Sequence, residues 1–232
     1  MNREFLETMA SYFDHSLVKA DATKEEVLKF CSEAKEYGFA SVVLSSSYCQ
    51  LCKEALAGTQ VHVCCTMAYP LGAMTTATKV FEAHECAKYG ADEIDIVMHV
   101  GKFLDEDYSY VIADLQAVVQ AFKSYGEEKI VKVIIETSII GNDKISKAVE
   151  CAIEAGADFV KTSSGYANYG STVEDVTAMK KAAGDKILVK ASGAIRTLED
   201  ACTYLEIGAV RLGGTAGIAI TEAAKEQLAE EG

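Results

Sequence analysis

Four stretches of the chain share one design, in which a helical pattern ends at a glycine and an apolar run follows almost at once. They are residues 33–44 (EAKEYGFASVVL), 85–97 (ECAKYGADEIDIV), 151–162 (CAIEAGADFVKT) and 204–214 (YLEIGAVRLGG). Glycine readily adopts the left-handed conformation that ends many helices, and short apolar runs are typical of buried strands. Each stretch therefore predicts a helix followed closely by a strand, and their recurrence predicts a repeated α/β architecture.

Eight strand candidates result when four further apolar runs are added. These runs are residues 12–18, 61–66, 132–137 and 186–191. Most of the eight are continuously apolar, as expected of parallel strands covered by helices. Helical patterns separate them, and the clearest starts at Thr23 with Glu26 three residues later, a typical N-terminal cap. The pattern predicts an α/β fold, a single-domain (β/α)₈ TIM barrel over residues 1–232. A doubly wound open sheet is the alternative, but no GxGxxG sequence follows the first strand.

Charge and composition argue against several functions. The 22 basic and 35 acidic residues give a net charge of -13, so we expect neither nucleic acid nor an anionic membrane as a partner. No apolar run reaches the ~18 residues needed to span a bilayer, so we predict a cytoplasmic protein. The eight cysteines are expected to be reduced, with Cys49 and Cys52 in the first turn of a helix. The four histidines show no short metal-ligand spacing, so no metal site is predicted.

In a barrel of this kind the functional groups lie at the C-terminal ends of the strands. Polar residues occur near the predicted end of every strand. They are Asp14, His15, Ser45, Thr66, Asp95, Glu136, Lys161, Lys190, Gly213 and Gly214. We therefore expect one circular rim to hold them.

Two of these residues are lysines in matching contexts, FVKTSSGYANYG (159–170) and ILVKASGAIRT (187–197). Lys161 and Lys190 are separated by one βα unit, which predicts that they lie on adjacent strands. A Schiff-base lysine must lose its proton near neutral pH, and a second cation beside it favours that loss. Asp95, two strands away, could then move protons. The alternative is a buried structural lysine paired with a carboxylate such as Asp95 or Glu136.

Glycine-rich turns follow both lysines and the eighth strand, where GGTAG occupies residues 213–217. Their backbone N–H groups can bind an anion, and the loops after strands seven and eight are the common phosphate position in this fold. Beside two lysines, these turns favour a phosphorylated carbonyl substrate.

Six motifs, in order along nearly the whole chain, resemble the deoxyribose-phosphate aldolase family. They are DHSLVKADATKEEV (14–27), YPLGAMTTATKVFEA (69–83), GADEIDIVMHVG (90–101), KVIIETS (132–138), GADFVKTSSG (156–165) and VKASGAIRTLEDA (189–201). The resemblance implies a class I aldolase on a (β/α)₈ barrel that cleaves 2-deoxy-D-ribose 5-phosphate into acetaldehyde and D-glyceraldehyde 3-phosphate. It implies no metal and no organic cofactor. It further implies that Lys161 forms the imine, Lys190 lowers its pKa and Asp95 relays protons.

The resemblance also implies where the phosphate binds. Together with the rim position of Asp14, it gives a set of residues expected to bind substrate or phosphate: Asp14, Gly165, Gly193, Ala194, Gly213, Gly214 and Thr215. Three features depart from the family pattern. Ala194 stands where a glycine is usual, Thr215 and Ala216 stand where two serines are usual, and the terminal tyrosine of many relatives is missing.

Two other functions stay open at this point. One is a lysine-dependent aldolase with weakened phosphate preference that acts on other or unphosphorylated aldehydes. The other is a noncatalytic barrel that binds sugar phosphates, although binding alone does not require a neutral lysine. Barrels of this kind are often dimers, so a homodimer is among the expected assemblies.

Overall fold

The computed structural model of the protein describes residues 2–231, and its strands form a closed barrel. Eight parallel strands follow one another in chain order, and the last pairs with the first. The strands are β1 Phe13–Leu17, β2 Ser41–Ser45, β3 His62–Met67, β4 Glu93–Val97, β5 Ile130–Ile134, β6 Phe159–Lys161, β7 Leu188–Ser192 and β8 Arg211–Gly214. The prediction of a (β/α)₈ barrel is confirmed. Residues 1 and 232 of the predicted domain lie outside the described residues.

Helices alternate with the strands and cover the outside of the barrel. In residues 2–231 there are eleven: α1 Arg3–Thr8, α2 Lys24–Tyr37, α3 Cys49–Ala55, α4 Thr76–Lys88, α5 Val100–Leu104, α6 Tyr108–Lys123, α7 Thr137–Ile140, α8 Ile145–Glu154, α9 Val173–Ala183, α10 Leu198–Ile207 and α11 Gly217–Glu231. Three short 3₁₀ turns lie at Met9–Tyr12, Ser46–Tyr48 and Asn142–Lys144. No helix in this part of the chain is long and apolar enough to cross a membrane.

Local sequence signals explain where the helices begin and end. Thr23 caps α2 by accepting a bond from the Glu26 N–H, and the Glu26 carboxylate accepts the Thr23 N–H in return. Gly38 and Gly208 end α2 and α10 with φ of 71° and 109°, values that suit glycine. The repeated helix–glycine–strand unit read from the sequence is therefore the actual building unit of the barrel.

One strand prediction is wrong at its end. The apolar run 132–137 suggested a strand that includes Glu136, but β5 ends at Ile134 and Glu136 has a φ of 55°. The run stays apolar because Ile135 is buried in the core beyond the strand. Thr137 then begins the short helix α7.

The apolar core lies between the barrel and its helices, whereas the barrel interior carries charge. Phe39, Phe103 and Phe122 are among the largest buried side chains of the outer layer. Six carboxylate and lysine side chains of the strands are buried: Asp14, Glu93, Asp95, Lys132, Lys161 and Lys190. Buried charges of this kind must be paired, and their pairing defines the candidate site.

The eight cysteines are free and buried. Cys49 and Cys52 lie at the start of α3, as predicted, but they do not face each other as a redox pair. The Cys52 sulfur lies 3.3 Å from that of Cys31, and the Cys49 thiol lies near the Cys86 carbonyl. Seven of the cysteines pack as small apolar residues in the core, whereas the sulfur of Cys64 lies inside the barrel, 3.2 Å from both Asp95 and Lys132.

Candidate active site

The barrel brings Lys161, Lys190 and Asp95 into contact. Lys161 and Lys190 are direct partners across β6 and β7, so their side chains leave the sheet side by side. Asp95 reaches them from β4. Its Oδ2 atom lies 2.7 Å from Nζ of Lys161 and 2.8 Å from Nζ of Lys190. One carboxylate oxygen therefore accepts hydrogen bonds from both lysines.

A third lysine completes this arrangement. Lys132 on β5 places its Nζ 2.8 Å from Oδ1 of Asp95, the other oxygen of the same carboxylate. The same Nζ lies 2.5 Å from Oε2 of Glu93, which stands two residues before Asp95 on β4. Both oxygens of Asp95 are thus occupied by ammonium groups, which fixes the carboxylate between three strands.

Asp14 lies behind this group rather than at the substrate cavity. Its carboxylate pairs with Lys190 and lies 2.6 Å from Arg211 and 2.6 Å from the Ser41 hydroxyl. The side chain is fully buried and is not among the residues that line the cavity. The structure thus places Asp14 inside the barrel, where its carboxylate holds Lys190 and Arg211, and the contact with substrate expected from the sequence stays a prediction.

The seven charged residues that are joined in this way form what we call the ionic core. They are Lys132, Lys161, Lys190, Arg211, Asp14, Glu93 and Asp95. Four can carry a positive charge and three a negative charge, so the fully ionised ionic core holds one surplus cation. If one lysine loses its proton, three positive charges face three negative charges. Electrostatics alone therefore favours one neutral lysine.

The pKa shifts identify Lys161 as that lysine. Burial lowers the pKa of Lys161, and the positive charge of Lys190 adds to this effect against the opposing influence of Asp95. Burial acts the same way on Lys190, but the carboxylates of Asp14 and Asp95 outweigh it and raise the pKa of Lys190. Lys132 likewise keeps its proton, because Asp95 and Glu93 raise its pKa well above the ordinary value despite burial.

The carboxylates are held in the ionised form. Burial alone would raise the pKa of Asp95, but Lys132, Lys161 and Lys190 together lower it well below the usual range. For Asp14, burial is likewise outweighed by Lys190 and then Arg211, and its pKa is lowered. A charged Asp95 can accept a proton from the amine beside it, which is the property a proton carrier needs.

A cavity of about 460 Å³ opens at the C-terminal end of the barrel, above Lys161. Lys161 is only 4% exposed, whereas Lys190 and Asp95 are 0% exposed, so of the three only Lys161 lines the cavity. All the glycine-turn residues that were expected to bind phosphate line it too: Gly165, Gly193, Ala194, Gly213, Gly214 and Thr215. The reacting amine and the anion-binding turns thus share one space.

Gly213 has a steric role beside Lys190. A Cβ atom at this position would lie 3.0 Å from Cε of Lys190, tighter than ordinary van der Waals contact. Glycine at this point of β8 therefore leaves the room that the Lys190 side chain needs to reach Asp14 and Asp95. This role differs from the phosphate contact expected from the sequence.

The remaining walls of the cavity fit an anion. Lys19 and Arg196 line it, and Thr215 and Ala216 lead into the first turn of α11. The first N–H groups of a helix have no carbonyl partner within the helix and can bind an anion. Ala194 has a φ of 62°, a conformation that glycine adopts more easily. The chain therefore accepts some backbone strain at Ala194.

Two rim predictions are corrected. His15 points out of the barrel into the helical layer, where its ring stacks on Phe30 at 4.2 Å and lies 2.8 Å from the Glu33 carboxylate. Adjacent residues on a strand face opposite sides, so Asp14 and His15 could not both face inward.

The second corrected residue is Glu136. It accepts the Ser164 N–H with both oxygens at 3.2 Å, and it forms no hydrogen bond with Lys161. Ser45 ends β2 and Thr66 is buried on β3.

Sequence reasoning missed the lower half of the ionic core: Lys132, Glu93 and Arg211. A signal was present, because Glu93 stands two residues before Asp95 and Arg211 two before Gly213, and residues i and i+2 of a strand share a face. A charged residue at that spacing inside an apolar strand predicts a second layer of interior charge. Tyr69, Lys19 and Arg196 were also missed as cavity-lining residues.

Together, the closed barrel and the buried lysine pair under an anion-binding mouth define a (β/α)₈ barrel protein with an amine nucleophile available for chemistry on carbonyl compounds. A model of the DeoC/LacD family aldolases matches residues 8–223. The chain belongs to the DeoC/LacD family of aldolases.

Individual relatives agree with this assignment. The chain is 48% identical to a deoxyribose-phosphate aldolase of Caldanaerobacter subterraneus subsp. tengcongensis, covering 97% of this chain and 96% of the relative. It is 46% identical to a deoxyribose-phosphate aldolase of Clostridium novyi, covering 94% and 97%. A solved structure of a tetrameric deoxyribose phosphate aldolase from Aeropyrum pernix superposes with a TM-score of 0.86 at 32% identity, covering 96% of this chain and 93% of that one.

Proposed function

We propose that this chain is a class I aldolase that reversibly cleaves 2-deoxy-D-ribose 5-phosphate into acetaldehyde and D-glyceraldehyde 3-phosphate. The observation that carries the proposal is the placement of Lys161. Its amine lies at the floor of the cavity, shares Asp95 with Lys190, and has a lowered pKa. Relatives that carry the corresponding name and match nearly the whole chain support the choice of substrate.

The proposed reaction starts with attack by the neutral amine of Lys161 on the C1 aldehyde carbon of the open-chain sugar, and loss of water leaves an iminium ion. A base removes the proton of the C3 hydroxyl, and the C2–C3 bond breaks. D-Glyceraldehyde 3-phosphate leaves, and the electron pair of the broken bond moves toward the iminium nitrogen to give an enamine. Protonation at C2 and addition of water then release acetaldehyde and restore the amine.

Asp95 and Lys190 support these steps in our proposal. The ammonium of Lys190 makes a second charge on Lys161 costly, so the amine is available at a lower pH. Oδ2 of Asp95 accepts hydrogen bonds from both lysines, so a proton can pass between them through one oxygen atom. Lys190 and Asp95 need no direct access to substrate for these roles.

The phosphate is proposed to bind at the glycine turns, held by backbone N–H groups near Gly165, Gly193 and Thr215. Arg196 adds positive charge to the lining of the cavity, whereas the ammonium of Lys19 is paired with Glu26 at 2.6 Å. In a chain with a net charge of -13, a positive side chain at the cavity supports an anionic substrate.

Two measurements test the proposal together. A coupled assay should detect D-glyceraldehyde 3-phosphate released from 2-deoxyribose 5-phosphate. Acetaldehyde plus borohydride should add one two-carbon unit to the chain, and peptide mass spectrometry should place it on Lys161. Lys161→Arg serves as the control, because a guanidinium cannot form the imine at neutral pH. A chain that releases no product and takes up no adduct would overturn the proposal.

A second candidate is an aldolase of the same mechanism with weakened preference for phosphorylated substrates. The observation that favours it is that Ala194 and Ala216, which offer no hydroxyl and less room than glycine, both line the cavity. Comparison of kcat/KM for 2-deoxyribose 5-phosphate and free 2-deoxyribose separates the two candidates.

The partners and the cellular location are proposals of the same kind. A homodimer in the cytoplasm is proposed, and free buried cysteines suit a reducing compartment. The relative from Aeropyrum pernix is tetrameric, so analytical ultracentrifugation should be used to determine the assembly of this chain. The acidic net charge supports the expectation that nucleic acid is not a partner.

A further inference from the structure

His62 lies at the opposite end of the barrel from the candidate active site. It is the first residue of β3, and its side chain is 45% exposed. A second cavity, of about 260 Å³, opens beside it and is lined by polar side chains that include Lys53, Gln60 and Asp92. Water and protons can therefore reach His62 from the N-terminal face of the barrel.

A row of short contacts leads from His62 to Lys161 through the barrel interior. Nδ1 of His62 lies 2.8 Å from Oε1 of Glu93, and Oε2 of Glu93 lies 2.5 Å from Nζ of Lys132. The same Nζ lies 2.8 Å from Oδ1 of Asp95, whose Oδ2 lies 2.7 Å from Nζ of Lys161. Four contacts thus join a solvent-accessible imidazole to the buried amine, and every group between them is fully buried.

The groups around His62 favour its charged form. The hydrogen bond that His62 donates to the Glu93 carboxylate raises the pKa of His62, burial opposes this, and Asp92 adds to the increase. Arg211 from β8 acts in the opposite direction. Lys53 from α3 reaches the same region but is occupied by Asp92, at 2.7 and 2.9 Å. The protonated form of His62 is therefore stabilised mainly by Glu93, a carboxylate of the ionic core.

We propose that His62 is a positioning residue for the aldolase reaction: its positive charge, transmitted through Glu93, Lys132 and Asp95, keeps Lys161 neutral as the pH falls. This inference rests on the proposed function. Three cations of the ionic core already balance its three carboxylates when Lys161 is neutral. A charge on His62 adds a further cation, so protonation of His62 and protonation of Lys161 oppose each other.

The size of the effect follows from the geometry. His62 and Lys161 stand three strands apart, and strand spacings of about 4.8 Å give a separation of roughly 14 Å. At an effective dielectric constant of about 20, two charges at that distance shift each other's protonation equilibrium by about three- to tenfold. The shift applies at pH values at which His62 is charged and disappears above them.

The test compares His62→Gln, which removes the charge, with His62→Lys, which keeps it at every pH. The quantity measured is kcat/KM for 2-deoxyribose 5-phosphate from about pH 5 to 9, the range over which histidine titrates. His62→Gln should equal the unmodified enzyme at high pH and fall about three- to tenfold below it at low pH. His62→Lys should keep the low-pH activity. His84→Gln, on α4 against Tyr125, is the matched control and should leave the profile unchanged.

The outcomes distinguish this inference from the proposed function. An active enzyme in which His62→Gln has the same profile as the unmodified chain overturns the role of His62 alone. Equal losses in His62→Gln and His62→Lys at all pH values also overturn it, because they indicate a structural effect that does not depend on charge. An unmodified chain that releases no D-glyceraldehyde 3-phosphate overturns the proposed function, and the role of His62 with it.

Discussion

Lys161 and Lys132 contact opposite oxygens of the Asp95 carboxylate, yet their pKa values shift in opposite directions. Lys161 has one carboxylate partner and a neighbouring cation, whereas Lys132 lies between Asp95 and Glu93. The difference in partners, rather than burial, therefore separates a lysine suited to chemistry from a lysine suited to holding carboxylates in place.

This contrast predicts opposite effects on stability. A lowered folded-state pKa means that Lys161 costs stability below the unfolded pKa of lysine, so Lys161→Met should abolish activity while raising the melting temperature by a few degrees. Lys132→Met should instead remove the cation that lies between Glu93 and Asp95 in the buried barrel interior and cost about 3–5 kcal/mol. Thermal unfolding followed by circular dichroism compares the two variants. Equal destabilisation by both would contradict the charge balance of the ionic core.

Lys190→Met should change the pH dependence of the reaction. The positive charge of Lys190 lowers the pKa of Lys161, so its removal should raise that pKa and move the acid limb of kcat/KM to higher pH. Borohydride trapping of acetaldehyde should persist at high pH, because the amine of Lys161 is still present. Lys181→Met, at an exposed position on α9, provides the control for loss of a distant positive charge. An unshifted acid limb would remove this role from Lys190.

Asp95→Asn should affect both turnover and stability. The amide cannot take up a proton from Lys161, so turnover should fall more than substrate binding weakens, with a small change in KM. Three lysines would also lose their shared partner, and breaking buried pairs costs about 3–5 kcal/mol. For a chain of this length that loss corresponds to a melting temperature lower by on the order of 10 °C. Asp185→Asn, at an exposed position, should change neither quantity.

Gly213→Ala should act through Lys190. The added methyl would lie 3.0 Å from Cε of Lys190, which Asp14 and Asp95 hold in place. We expect the lysine to shift, the contact with Asp95 to lengthen, and activity to fall together with an alkaline displacement of the acid limb. Gly214→Ala is the matched control for the position of the acid limb, which it should leave unchanged, since a methyl there meets no atom within 4 Å. If both variants keep full activity, Gly213 has no steric role.

The sequence revealed the fold well because the fold depends on local, repeated signals. Helix caps such as Thr23 and glycines such as Gly38 act within a few residues, so each unit could be read on its own. The pair Lys161 and Lys190 was equally readable, since one βα unit separates them. The pairing of Asp14 with Lys190 and Arg211 could not be read from the sequence, because these contacts join residues nearly two hundred positions apart. Such contacts depend on barrel closure, which no local pattern contains.

The sequence also could not show toward which side of the barrel wall a strand side chain points. His15 and Asp14 were both placed at the rim, although alternation along a strand permits only one of them to face inward. Glu136 was read as part of a strand, whereas its φ of 55° turns it away toward the Ser164 N–H. In β1, sequence FDHSL, polar residues fall on both faces of the strand and nearly all positions are buried, so the facing side had to come from the structure.

Ala216→Ser should strengthen the preference of the enzyme for the phosphorylated sugar over the free sugar. Ala216 lines the cavity just before α11, next to the exposed Thr215, so a serine there would present a hydroxyl to the same space. A hydrogen bond to a charged group contributes about 1.5–3 kcal/mol, so the variant should prefer 2-deoxyribose 5-phosphate over free 2-deoxyribose about tenfold to a hundredfold more strongly.

The control for this prediction is Ala183→Ser, at a buried position on α9 away from the cavity, which should leave the preference unchanged. The measurement is the ratio of kcat/KM on the two sugars, because a general loss of activity lowers both values and cancels. The effect should appear mainly in KM for the phosphorylated sugar, since the phosphate lies away from the reacting carbon and binds equally before and during the reaction. An unchanged ratio in Ala216→Ser would mean that backbone N–H groups and the N-terminus of α11 hold the phosphate without help from a hydroxyl at this position.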